Sequence, residues 1–335
     1  MIHHHLFALA NAAVVVMATS CTGSNTTFPE QWRTSLPQVW DHMMARSDYE
    51  VGLNISATNN WALDQIMDGQ GTINLCLRWG STSSLTQENR EQLESVYEQS
   101  IQQWLRWLPS WDGFPYEDVN VNVAAWAVND TAQIEGPTDG FDVHTGFHDT
   151  DGLPTCNPGC SRELHQDGDY SGCPGGPDRR FHQYLVLSPL WGDYNMGAAA
   201  SFGVDLSLFG WETIGSQGKP WPMPVHEFGH TFGFPDFLTD NTRPTNRTIC
   251  NILWLPENAP KKFVMMPGSG GFDMAPELTD MEGWMLRHLW SRVSRLRGWQ
   301  SDDMIWPAPL KCSAIEARDV KFTTDADDLC VLRLN

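Results

Sequence analysis

Basic residues are scarce in this chain of 335 residues, where 21 lysines and arginines stand against 41 aspartates and glutamates and the formal net charge is −20. A protein that binds nucleic acid needs a basic surface to neutralise phosphates, and a protein held on an anionic membrane needs one for the same reason. The charge balance therefore argues against both kinds of partner. The acidity itself predicts nothing more specific than a well-solvated surface.

Long hydrophobic segments are lacking as well. The apolar stretch from Leu6 to Met17 has the length of a signal-peptide core and is too short to cross a bilayer. We therefore predict a secretory signal over residues 1–20, an extracellular location and no membrane span. Ala18 and Ser20 are the small residues that precede a cleavage site, but histidines 3–5 stand where lysine or arginine is usual. A short histidine tag and a lipoprotein anchored at Cys21 are the alternatives.

The chain has eight cysteines, and in a secreted protein they are expected to form disulfides. The pairs that lie close in sequence are Cys312 with Cys330, and Cys173 with either Cys156 or Cys160. The other connections do not follow from the sequence. An alternative for the middle cluster is a second metal site with the ligands Cys156, Cys160, Cys173 and His165.

Four Asn-x-Ser/Thr tripeptides agree with an extracellular glycoprotein, because in secreted proteins such tripeptides can carry glycans on surface loops. They begin at Asn25, Asn54, Asn129 and Asn246.

The remaining chain divides into three parts. Residues 21–70 are polar with helix-like pieces at 38–46 and 60–67, and they are either a propeptide or an N-terminal extension of the mature domain. No dibasic processing site marks a boundary. Residues 71–298 have the regular patterns of a folded domain, and residues 299–335 form a tail closed by Cys312 and Cys330.

The pattern of residues 71–298 predicts an α/β fold with a mixed, twisted sheet. Apolar residues alternate over 73–79 and again over 119–127, as in strands, and 184–188 and 204–209 are further strand candidates. Between the first two strands, Thr86 is a good N-cap for a long helix that runs to Leu108 before Pro109. Loop-rich sequence fills 139–180, and an amphipathic helix is predicted over 281–296, with His288 as a core or groove residue.

The segment from His226 to Asp236 reads His-Glu-Phe-Gly-His-Thr-Phe-Gly-Phe-Pro-Asp and predicts a zinc site. Residues four apart on an α-helix project from one face, so His226 and His230 can hold one metal ion. Glu227 can then reach a water in the open coordination position without being a ligand. Gly233 can take the left-handed conformation that ends a helix, and the reversal brings Asp236 back as third ligand.

This motif resembles the extended zinc signature of the metzincin endopeptidases, in the variant of the snapalysin family where aspartate replaces the third histidine. The resemblance implies a zincin-like catalytic domain over 71–298. It also implies a methionine turn beneath the metal, for which Met265 fits best because Pro267 follows two residues later. No tyrosine occupies that position, so the tyrosine of the astacin-like branch is missing.

Two further expectations depend on this resemblance. Metzincins pair the bound peptide with a strand at the border of the cleft, and residues 201–209 are the candidate for that edge. The helix over 281–296 then corresponds to the C-terminal helix of the family. Pro222 and Pro224 fit the first turn of the zinc helix, where a missing N–H costs nothing.

Other metal ligands remain open in the sequence. Asp240 and Asp273 compete with Asp236 for the third zinc position. The aspartates of 149–151 and 167–169 resemble calcium loops, although neither has the full spacing of twelve residues, so a Ca²⁺ ion is a second possible cofactor.

These residues predict a secreted zinc endopeptidase that acts on protein or peptide substrates, with Glu227 as general base. A second hypothesis is a secreted carbohydrate- or cell-wall-binding protein on a metzincin-like fold. It depends on the sixteen tryptophans, among them Trp107, Trp111 and Trp191, since tryptophan stacks on sugar rings.

Overall fold

The computed structural model describes residues 29–33, 35–45, 55–237, 262–266, 274–275 and 277–301. The signal sequence, most of the C-terminal tail and the Cys312–Cys330 pair lie outside these residues, as do the tripeptides at Asn25, Asn54 and Asn246. Asp240, Asp273 and Pro267 also lie outside them. Asn129 is described, and its side chain is exposed.

Six strands and six α-helices lie within the described residues. In chain order they are α1 (Ser35–Ala45), α2 (Ala62–Asp68), β1 (Thr72–Trp79), α3 (Gln87–Leu105), β2 (Asn120–Ala127), β3 (Asp142–His144), β4 (Gln183–Ser188), β5 (Gly197–Ala200), β6 (Gly203–Ser207), α4 (Leu208–Thr213), α5 (Met223–Thr231) and α6 (Asp280–Leu296). Among them, no helix is long and apolar enough to cross a membrane.

The strands form one mixed sheet in the order β3-β2-β1-β4-β6-β5, which confirms the predicted α/β class. Every neighbouring pair is parallel except β5 with β6, which is antiparallel. Alternate residues of the central strands belong to different cores. Leu75, Leu77 and their neighbours face the large core under the helices, whereas Cys76 faces a smaller core on the opposite side.

The large core joins the sheet to α3, α5 and α6. Thr86 caps α3 as predicted, because its hydroxyl accepts the N–H of Asn89 at 3.1 Å. The helix ends at Leu105, three residues earlier than predicted. Its last turn tightens ahead of Pro109, since Trp107 and Leu108 bond to carbonyls three residues back.

The opposite face of the sheet is covered by the cysteine-rich loop. Two disulfides hold this loop: Cys76 on β1 with Cys156, and Cys160 with Cys173. The local pair Cys160–Cys173 is one of the two predicted, whereas Cys76–Cys156 was not deducible. The alternative of a second metal site is wrong, because its three cysteines are all consumed in disulfides.

The predicted cleft-border strand at 201–209 is wrong in position. β6 covers only 203–207 and lies between β4 and β5, so the edge of the sheet is β5. Ser207 ends β6 because its hydroxyl accepts the N–H of Gly210 at 2.7 Å and caps α4, which places Leu208 and Phe209 in a helix. The sequence Gly-Ala-Ala-Ala of β5 has no strand signal, since neither residue type favours strands.

We expect the two disulfides to differ in what they contribute to stability, because they close loops of 80 and 13 residues. Replacing Cys76 and Cys156 with alanine should lower the free energy of unfolding by about 4 kcal/mol, and replacing Cys160 and Cys173 by about 3 kcal/mol. Denaturant unfolding of both double variants measures the difference. A larger loss for the Cys160/Cys173 variant would contradict the loop-closure account.

Candidate metal centre

The helix α5 carries the two candidate histidines and begins as the sequence predicts. Pro222 is its N-cap and Pro224 lies in its first turn, where no intrahelical N–H bond is lost. A hydrogen bond joins α5 to α3: the Trp104 Nε1–H donates to the carbonyl oxygen of Val225 at 2.8 Å. The helix ends at Thr231, and two residues later Gly233, with a φ of +94°, takes the predicted left-handed conformation that reverses the chain.

Both histidines are buried and are oriented by backbone carbonyls. Nδ1 of His226 lies 2.7 Å from the carbonyl oxygen of Val264, and Nδ1 of His230 lies 2.7 Å from that of Phe234. A carbonyl oxygen only accepts, so each ring carries a proton on Nδ1. When the rings are neutral, their Nε2 lone pairs point towards one position between them, and the two Nε2 atoms are 3.2 Å apart.

Asp236 meets the histidines after the chain reverses at Gly233. Its Oδ1 lies 3.2 Å from Nε2 of His226 and 3.3 Å from Nε2 of His230. His226, Glu227 and His230 also form a group whose ligand atoms lie within 4.8 Å of one another and could hold a metal ion. Asp236 Oδ1 makes the tighter triangle with the two Nε2 atoms.

The triangle has the size that a tetrahedral metal ion requires. Bonds of about 2.0 Å in tetrahedral geometry place neighbouring ligand atoms about 3.3 Å apart, which matches the three distances between Asp236, His226 and His230. Glu227 Oε2 is buried and has no hydrogen-bond partner. Two imidazoles and a carboxylate suit zinc and several other transition metals, so the donor set fits the group that the sequence implies.

The charges at this site favour a cation. Burial opposes protonation of His226, but the hydrogen bond with Asp236 and the charges of Glu227 and Asp236 outweigh it and raise the pKa of His226 to about 9. Burial also raises the pKa of Asp236, but the charge of His230 and the hydrogen bonds with both histidines lower it further, to well below its ordinary value. A proton or a metal ion therefore stabilises the three converging groups.

Glu227 lies beside the histidines, and its carboxylate faces the edge strand. Burial raises the pKa of Glu227 above its ordinary value, although the charges of His226 and His230 counteract this. The backbone of Gly197, at the start of β5, passes close to the carboxylate. A Cβ on Gly197 would lie 2.6 Å from Glu227 Oε1, so only glycine leaves room for this side chain.

Met265, the residue predicted for a methionine turn, packs against Gly229 of α5. It is buried, and its sulfur fills the space beside Gly229, where a Cβ would lie 2.3 Å from Sδ. Two hydrogen bonds fix its backbone: the N–H donates to Glu282 Oε1 at 2.8 Å, and the carbonyl accepts the N–H of Phe237 at 2.8 Å.

Glu282 connects this turn to α6. Its Oε2 accepts from the N–H and the hydroxyl of Thr279, each at 2.9 Å, while its Oε1 accepts from Met265. The carboxylate is fully buried, and burial raises the pKa of Glu282 to about 7 although these hydrogen bonds counteract the shift. One side chain thus caps the helix and holds the turn whose Val264 carbonyl orients His226.

The sequence did not predict a role at the site for three residues: Gly197, Gly229 and Glu282. Gly229 interrupts a helix, and an isolated glycine there indicates close packing. The Thr279-x-x-Glu282 pattern predicts a capping box, but nothing local links Glu282 to Met265. No sequence signal distinguishes Gly197, because its role depends on a strand and a helix that meet only in the fold.

The aspartates of the possible calcium loops bind groups of the protein itself. Asp149 pairs with Arg78, and its Oδ1 accepts the N–H groups of Asp151 and Leu153. Asp167 Oδ1 likewise accepts the N–H of Asp169. Within the described residues, the only group able to hold a metal ion contains His226, Glu227 and His230.

Two tryptophans of the carbohydrate hypothesis pack against a cation of the protein. The guanidinium carbon of Arg287 lies 5.2 Å from the ring centroid of Trp107 and 4.8 Å from that of Trp111. Trp191 donates its Nε1–H to Asp205 Oδ1 at 2.9 Å. One face of Trp107 and of Trp111 is therefore occupied within the chain, and sugar binding stays a prediction.

No protein-family model matches the chain, and no curated protein or solved structure matches it either.

We expect Glu282→Ala to destabilise the protein by about 2–4 kcal/mol, because it leaves the buried N–H of Met265 and the partly buried N–H of Thr279 without acceptors. Chemical denaturation measures the loss. Glu88→Ala on α3 is a matched control, since that exposed glutamate also lies in a first helical turn. A loss no larger than that of the control would show that the Glu282 hydrogen bonds do not hold the turn.

Proposed function

We propose that the chain is a secreted zinc endopeptidase of the metzincin type, with Asp236 as the third metal ligand. The observation that carries the proposal is the triangle of 3.2–3.3 Å formed by His226 Nε2, His230 Nε2 and Asp236 Oδ1, next to the buried carboxylate of Glu227. Three protein ligands leave a tetrahedral ion one open position, which is the arrangement of catalytic zinc.

Each group has a distinct role in peptide hydrolysis. His226, His230 and Asp236 hold the metal, and zinc, when bound, supplies the Lewis acidity that activates water and polarises the scissile carbonyl. Glu227 takes the proton from the attacking water and passes it to the leaving amine. Its raised pKa suits both transfers, because a carboxylate that protonates more readily is a better acceptor and afterwards a usable donor.

The surroundings of the site agree with a protease that works outside the cell. Two disulfides tie the loop that covers the sheet, and disulfides persist in oxidising compartments. The side chain of Asp236 keeps 37% of its surface exposed although its Oδ1 is buried, so solvent borders the candidate site on that side. The strand β5 passes beside Glu227 and has no strand partner on its outer side among the described residues, so an extended peptide can pair with it there.

Metal analysis of the purified protein, combined with a peptide-library digest in the presence and absence of chelator, tests this proposal. We expect one zinc per chain and peptide cleavage that chelator abolishes. Glu227→Gln should keep the metal and lose activity by at least about a hundredfold, while His230→Ala should lose the metal. A protein without bound zinc, or a Glu227→Gln variant with full activity, would refute the assignment.

We further expect Gly197→Ala to lower kcat/KM by about tenfold to a hundredfold, because the added methyl group displaces the Glu227 carboxylate. Zinc content should stay unchanged, since no ligand atom is touched. Gly146→Ala is the matched control, because a Cβ at Gly146 meets no atom within 4 Å. Equal activities of the two variants would disprove the close approach of Gly197 to the general base.

A further inference from the structure

The N-terminal part of the domain fills the space behind the bend that carries the metal ligands. At Gly233, the position of a Cβ would be 3.0 Å from Met43 Cε, 3.2 Å from Ile55 Cδ1 and 3.5 Å from Trp61 Cε3. All three side chains are buried, and all three belong to residues 29–68. The left-handed turn at Gly233 is thus enclosed by side chains that precede β1.

This contact is close to two of the candidate ligands. Gly233 lies between His230 and Asp236 in sequence, and the next residue, Phe234, supplies the carbonyl oxygen that accepts the Nδ1 proton of His230 at 2.7 Å. The ring of Phe234 lies with α1 and α6 in one apolar seam. The seam is lined by Leu36, Val39, Trp40, Met43, Phe234, Met285, His288 and Leu289.

A buried ion pair fixes the same N-terminal part to the end of α6. Arg297 Nε lies 2.7 Å from Asp64 Oδ1, and the two side chains are only 9% and 3% exposed. The Arg297 guanidinium also donates to the carbonyl oxygens of Ile55 and Thr58, at 3.0 and 2.7 Å. Loss of these acceptors would leave a buried positive charge without a partner, which is strongly destabilising.

We propose that residues 35–68 stay in the mature protein, and that Met43, Ile55 and Trp61 are positioning residues for the bend that carries His230 and Asp236. A propeptide leaves without exposing the core of the mature domain, whereas removal of this segment uncovers Phe234 and strips Arg297 of its partner. In the described residues, the group able to hold a metal includes no member of 29–68. The segment supports the site from behind and does not block it.

Retention of the segment is tested by N-terminal sequencing and intact mass of the active protein, recovered from the medium of a secreting host that expresses the full chain. We expect the first residue to lie upstream of Ser35. Active, metal-loaded protein that begins downstream of Ser35 would overturn the proposal. This result does not depend on which metal or substrate the protein uses.

The positioning role rests on the proposed metal site and needs a separate readout. Met43→Ala should weaken zinc binding, measured by competition with a chromophoric chelator, about tenfold more than Val39→Ala. Val39 is the matched control, because it is buried in the same seam but is not among the three nearest contacts of Gly233. Met43→Leu should restore the affinity. Equal zinc affinities of Met43→Ala and Val39→Ala, at similar melting temperatures, would overturn the positioning role of Met43.

A second pair of variants with smaller substitutions tests the same role if Met43→Ala fails to fold. Ile55→Val removes only Cδ1, the atom that meets Gly233, and Ile66→Val removes the same atom from a buried residue of α2. Weaker zinc binding for Ile55→Val alone supports the role, and equal binding refutes it. A wild-type chain that binds no zinc would instead refute the proposed function and leave the sequencing result standing.

Discussion

Three electron-pair donors that converge within 3.3 Å are the constraint on which the site depends. His226, His230 and Asp236 repel one another unless a cation lies between them, and the backbone carbonyls behind the rings prevent the imidazoles from turning away. The fold therefore favours a positive charge at the point where these three side chains meet. The pKa of His226 is raised for the same reason, because a proton on this ring also supplies positive charge there. A metal ion must displace that proton when it binds.

Much of the surrounding structure keeps these donors in place. Trp104 holds α5 from the side of α3, and Met265 packs against Gly229 from below. Glu282 fixes the turn of Met265 and is itself part of the N-terminal cap of α6. The helix that carries both histidines is thus held from α3, and also by the turn that Glu282 joins to α6.

The mixed sheet determines what approaches the general base. Five strands are parallel, and the short antiparallel strand β5 at the edge passes Glu227 so closely that a glycine is required. The opposite face of the sheet is covered by a loop held by disulfides instead of helices, which leaves α3, α5 and α6 together on one side. The candidate site consequently lies on the helix-covered side of the sheet, beside the edge strand β5.

The sequence by itself determined the features that depend on neighbours along the chain. The spacing of His226 and His230, the reversal at Gly233, the cap at Thr86 and the alternation of β1 are local, so periodicity and residue type suffice to predict them. Tertiary structure alone decided that β5 and not β6 is the edge, that Cys76 pairs with Cys156, and that Glu282 reaches Met265. These contacts join residues far apart in sequence, and their energy arises from burial and hydrogen bonding that exist only after the sheet and helices have packed.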